Sequence, residues 1–151
     1  MLDLARHASS SSSVKKLAVL LVGVVALASA CLPYNSQEQY IFNRTNELRR
    51  STGVNAMGGM DPLTSRAREL ANGLAARGVL AHSDLRSMGV QWTAAAENVG
   101  RGTSVEQVFS MLESSAAHRS NMVNPIYTNT GVGTARAKDG TVYVVQLFWR
   151  G

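Results

Sequence analysis

Apolar residues in this chain repeat at helical spacing through most of its length and at strand spacing near its end. Ile41, Thr45 and Leu48 share one face of a helix predicted over 37–50, and Gly53 follows as a stop signal. Gly58-Gly59 predicts a loop, and Asp61-Pro62 a helix start. Leu63, Ala67, Leu70, Ala71 and Leu74 then form a stripe at 3.6 spacing that ends at Gly78, and its alanines invite a close neighbour. Residues 89–99 read as extended, with Val90 and Trp92 alternating, which puts Glu97 at or near a strand end. Thr103-Ser104-Val105-Glu106 fits a capping box for a third helix. Its stripe is Val105, Val108, Phe109, Leu112 and Ala116, with His118 near its last turn and Asn124-Pro125 in the exit loop.

The clearest β signal comes last. Strands over 130–137 and 141–149 are joined through Lys138-Asp139-Gly140. In the second strand Val142, Val144 and Phe148 point one way, while Tyr143, Val145, Leu147 and Trp149 point the other. Apolar residues on both faces require cover on both sides. The pattern predicts an α+β domain: a three-layer α-β-α sandwich around a mainly antiparallel sheet.

The N-terminal 31 residues read as a leader. Arg6, Lys15 and Lys16 form a basic n-region, residues 17–27 an apolar run, and Ala28-Ser29-Ala30 a small-residue cleavage site. The run is short for a permanent span, although an uncleaved anchor is an alternative. Cys31 is the only cysteine and directly follows the cleavage site. A lipobox would make it the lipidated first mature residue, with Ala28 standing where leucine is usual; simple cleavage is the other reading. With one cysteine, no disulfide can form within the chain. Residues 32–36 read as a tether and 37–151 as the domain. Export, to the extracellular space or to a lipid anchor on the envelope, is the expected location.

The formal charge of +5 includes the leader; residues 32–151 carry twelve basic and nine acidic groups, a net +3. Arg49-Arg50 and Arg66/Arg68 read as solvated helix faces. No basic stripe interleaves with aromatics, which argues against nucleic-acid binding and leaves mild attraction to an anionic envelope surface.

Candidate chemistry gathers around two histidines. His82 lies in Ala81-His82-Ser83-Asp84, His118 in Ser115-Ala116-Ala117-His118-Arg119, and Glu97 lies between them in Ala96-Glu97-Asn98-Val99. Imidazole and carboxylate bind metals, move protons and orient ligands near neutral pH. A zinc site needs three protein ligands, for which His82, Glu97 and His118 are the natural set. No strand–elbow–helix G-x-S-x-G context surrounds Ser115, which argues against a serine nucleophile.

Several segments, in order, resemble the CAP superfamily (cysteine-rich secretory proteins, antigen 5 and pathogenesis-related-1 proteins), and most of all its short bacterial members. Asn46-Glu47-Leu48-Arg49 with Gly53 is similar to the first-helix N-x-x-R-x-x-x-G pattern. Ala81-His82-Ser83 resembles the His-Ser segment, and Ala96-Glu97-Asn98-Val99 the G-E-N motif, with alanine replacing glycine. The run from Ser115 to Asn121, with Asn124-Pro125 and Tyr127-Thr128, resembles the bacterial S-x-x-H-R-x-N…N-P-x-Y-T run, and Gly131-Val132-Gly133 with residues 143–148 the final hairpin. The resemblance implies an α-β-α sandwich with a cleft lined by His82, Glu97, Ser115, His118 and Tyr143. Members from higher organisms often carry two His and two Glu there, and some bind a divalent metal. Here the second Glu position falls at Ser115 and the second His position at Tyr143, while Leu112 stands where tryptophan is common. Tyr143 and Gln146 should reach opposite faces of their strand, with Gln146 structural. The favoured function is a non-enzymatic extracellular module binding a lipid, sterol or other envelope ligand. The alternatives are a metal-assisted or acid–base hydrolase using His82, Glu97 and His118, and a structural or interaction module.

Overall fold

The computed structural model describes residues 34–151; the leader, its cleavage site and Cys31 lie outside the described residues. The elements run α1 (Ser36–Ser51), β1 (Gly58–Gly59), α2 (Asp61–Arg77), a 3-10 turn (Leu85–Met88), β2 (Ala94–Gly102), α3 (Val105–Ser114), α4 (Ala116–Val123), β3 (Asn129–Arg136) and β4 (Val142–Arg150). The strand order is β1-β3-β4-β2, so β2 forms one edge. β1 pairs parallel to β3, and the other pairings are antiparallel. The sheet is therefore mixed, because Gly58-Gly59, read as a loop, adds a short parallel strand. No helix among the described residues is long and apolar enough to cross a membrane.

The two-faced β4 makes the sandwich. Val142, Val144 and Phe148 pack with residues of α1, α3 and α4 such as Ile41, Phe109 and Met122. Tyr143, Val145 and Leu147 pack with the α2 stripe of Leu63, Ala67, Ala71 and Leu74. Contact on the α2 side is backbone-close: a Cβ on Gly133 would fall 2.2 Å from the Ala67 carbonyl carbon, and one on Gly131 2.3 Å from that of Leu63. Only glycine admits the helix so near the strand.

Local chemistry sets the element ends. Asn35 caps α1 in a capping box with Glu38, and the Tyr34 ring lies 5.1 Å from that of Phe42, so residues 34–36, read as tether, belong to the fold. Gly78 closes α2 at φ 67°. The cap of α3 is one residue later than the Thr103 capping box predicts: Ser104 Oγ accepts the Gln107 N–H, while the Gln107 side chain accepts from Thr103. α3 stops at Ser115, whose extended backbone (φ −82°, ψ 120°) separates it from α4. His118 therefore sits in the first turn of α4, not in the last turn of α3. β2 begins at Ala94, opposite Arg150, and the Thr93 N–H just before it still donates to the Arg150 carbonyl. Glu97 consequently lies mid-strand, and Val90 and Trp92 precede the sheet. The final hairpin turns through a short loop with Gly140 at φ 89°.

Candidate functional site

Glu97 projects from the edge strand toward the α2 layer, in register with Leu147. The loop leaving α2 runs beside it and supplies its partners. Glu97 Oε1 accepts the Ser83 backbone N–H at 2.9 Å and lies 2.9 Å from His82 Nδ1. Its Oε2 accepts Ser83 Oγ–H at 2.6 Å. A carboxylate only accepts, so His82 Nδ1 donates and Nε2 is left for solvent or a ligand. The Glu97 side chain is 3% exposed and that of His82 64%. A buried carboxylate thus orients an exposed imidazole over a polar hollow of about 240 Å³, lined also by Arg66, Glu69 and Arg77.

His118 belongs to the opposite layer. Its Nδ1 lies 2.8 Å from Ser115 Oγ, one helical turn back. Burial, and secondarily the charge of His82, hold its imidazole below the usual histidine pKa. Ser115 and His118 rim a second hollow, of about 370 Å³, whose wall is apolar: Val99, Val108, Leu112, Leu80 and Met111. Met111 is 55% exposed, so this wall opens to solvent.

The sequence-predicted residues thus divide. His82 and Glu97 meet; Ser115 and His118 meet next door. Tyr143 joins neither pair: it is 2% exposed in the packing beneath α2 and is a core residue, not a cleft residue. Among the described residues, no group of three or more His, Cys, Asp or Glu could hold a metal ion. The zinc set of His82, Glu97 and His118 is not assembled, because both Glu97 oxygens are engaged and His118 stands on the other side of the sheet's edge. Arg119 lies 3.6 Å from Glu113 across the α3–α4 break.

Sequence reasoning missed two features, and of a third it read only Gln146 as structural, without its partners. Leu80 and Met111 were outside the predicted stripes, and apolar positions off a buried stripe were the available sign of an open wall. Arg49 is not solvated: it is 1% exposed and donates to the carbonyls of Asn55, Met122, Asn124 and Tyr127. Asn98 and Gln146 form a buried polar chain. Gln146 Nε2 donates to Thr45 Oγ1, and Asn98 Nδ2 to Gln146 Oε1 and the His118 carbonyl, while Asn121 Nδ2 donates to Asn98 Oδ1. Polar amides in the middle of apolar strands were the sign there.

The sequence profile of the CAP, or cysteine-rich secretory protein, family matches residues 42–148. The chain belongs to the CAP family. Its fold agrees with solved CAP-like structures at low identity. An outer surface protein of Borrelia burgdorferi aligns with TM-score 0.71 at 17% identity, over 79% of this chain and 96% of that one. An extracellular protein containing an SCP domain from Bacillus anthracis aligns with TM-score 0.67 at 21% identity, over 76% of this chain and 40% of the longer protein. NaASP2, solved with Zn²⁺, aligns with TM-score 0.60 at 15% identity, over 76% of this chain and 80% of that one. A comparison with curated proteins gave no match.

Proposed function

We propose that this chain is an exported bacterial CAP-domain protein that binds a lipid or other apolar envelope ligand and performs no chemistry on it. The observation that carries this reading is the apolar hollow beside His118. Its volume of about 370 Å³ lies in the range of small-ligand pockets. Apolar side chains line its wall, and Ser115 and His118 offer a polar rim for a headgroup. The leader pattern and the outer-surface and extracellular descriptions of two structural relatives support export.

Saturable uptake of a fluorescent acyl-chain probe by the purified protein tests the reading. Met111→Glu places a charge on an exposed wall and should weaken uptake at least about tenfold, since a buried unpaired charge is strongly disfavoured. Leu112→Trp installs the residue common at this position in the family and should fill the hollow. Uptake that is absent in the wild type, or unchanged in both variants, removes the proposal.

One observation favours the hydrolase alternative: a buried carboxylate orients an imidazole whose second nitrogen faces solvent. Glu97, however, spends both oxygens on Ser83 and His82, which makes it a positioning group and not a free base. Turnover of an ester or amide that vanishes in both His82→Ala and Glu97→Gln, with the fold intact, would move the assignment to catalysis.

A further inference from the structure

We propose that the end of the domain carrying the β3–β4 hairpin and the loop after α2 docks onto an anionic lipid bilayer. Two independent observations meet there, and the place where the chain enters the fold agrees with them. The first is charge. Arg77 at the end of α2, Arg136 at the end of β3 and Lys138 in the hairpin line one surface hollow of about 620 Å³. Arg101 of β2 reaches the same place, its Nη1 donating to the Gly78 carbonyl at 3.3 Å. The carboxylate lining this hollow, Asp139, accepts the Thr141 N–H, and Arg101 adds to the groups that lower its pKa. The four cations therefore outnumber it.

The second observation is apolar exposure. Val79 and Leu80 follow Gly78 directly and are 44% and 47% exposed. Two adjacent apolar side chains that directly follow Gly78, itself in the wall of the basic hollow, suit the boundary between headgroups and acyl chains: the cations meet lipid phosphates while the apolar pair enters hydrocarbon. A soluble polyanion would satisfy the cations but leave the apolar pair in water.

The entry of the chain into the fold lies at the same end. Asn35 Nδ2 lies 3.4 Å from Thr134 Oγ1, two residues before Arg136. The opposite end of α1 lies at the far end of the sheet, where Arg49 holds Asn124 and Tyr127. If Cys31 is lipidated, only residues 32 and 33 separate it from Tyr34. Three residue steps span about 10 Å at full extension. A leash that short would hold the basic, apolar-tipped end against the membrane.

The test uses the full chain with Cys31→Ser, so that one introduced thiol carries an environment-sensitive nitrobenzoxadiazole label. At Val79→Cys the emission should shift to the blue on phosphatidylcholine vesicles that contain phosphatidylglycerol, and not on phosphatidylcholine alone. At Ile126→Cys, an exposed site at the far end of β3, it should stay unchanged. Arg136→Glu with Lys138→Glu should abolish the shift. An absent shift at position 79, equal shifts at 79 and 126, or a shift indifferent to charge reversal overturns the proposal. Charge-dependent binding of soluble polyphosphate without a shift at 79 on vesicles would also overturn it, in favour of an anionic polymer. Positions 79, 136 and 138 do not line the His118 hollow, so this outcome is separable from that of the uptake assay.

Discussion

The two faces of this sheet are held by different physics. On the α2 side the contact is apolar and close: glycines on β3 meet small residues on α2, and dispersion and burial dominate. On the other side, three helices cover an apolar cluster threaded by polar ties. Gln146, Asn98, Thr45 and Asn121 form a buried hydrogen-bonded chain, while Arg49 gathers four carbonyls from separate segments. The close face has one helix to place, and shape suffices. The tied face must place a broken helix pair and long loops, and directional bonds specify positions that packing alone would leave free. His118 hangs on this second system, because Asn98 holds its carbonyl.

Arg49→Met should produce the largest loss, roughly 4 kcal/mol, since several buried carbonyls lose their donors together. The denaturation midpoint at unchanged slope measures it; a loss under about 1 kcal/mol would show that packing holds both faces. Gly133→Ala should follow, at about 3 kcal/mol, because its methyl meets backbone that cannot rotate away. Tolerance of that change would mean α2 is not closely seated. Gln146→Leu should lower stability by about 2 kcal/mol, by leaving an Asn98 N–H without its acceptor and removing the amide that donates to Thr45 Oγ1, whose own hydroxyl still bonds the Ile41 carbonyl. It should also disturb the His118 NMR signals more than those of His82, and the reverse order would disconnect the polar chain from α4.

The smallest effect concerns pH. Burial depresses the His118 pKa in the folded state below its ordinary 6.5. The unfolded chain then binds the proton more readily, so the stability present above 6.5 is lost as pH falls through the depressed folded value. A melting temperature followed from neutral to mildly acidic pH should decline, and less steeply in His118→Asn. Identical slopes would deny that this histidine is held in an apolar setting.

Much of the fold was readable along the chain. The α2 stripe and the two-faced β4 already required three layers, and the hairpin turn announced itself at Asp139-Gly140. The site was legible in part. His82 and Glu97 were named from their motifs, and their meeting depends on the loop after α2 lying beside the edge strand. His118 was named too, but its helix was misassigned because nothing in Ser114-Ser115 forbids a continuous helix. Arg49 looked solvated because charge on a helix usually is.

Periodicity along the polymer determined which residues would be buried and how many layers would bury them, since a side chain's facing follows from local backbone geometry. Whether His118 would share a hollow with Glu97, and where an open apolar wall would remain, depended on how separate elements meet at the sheet's edge. Those distances arise only once the layers close, so no local spacing encodes them.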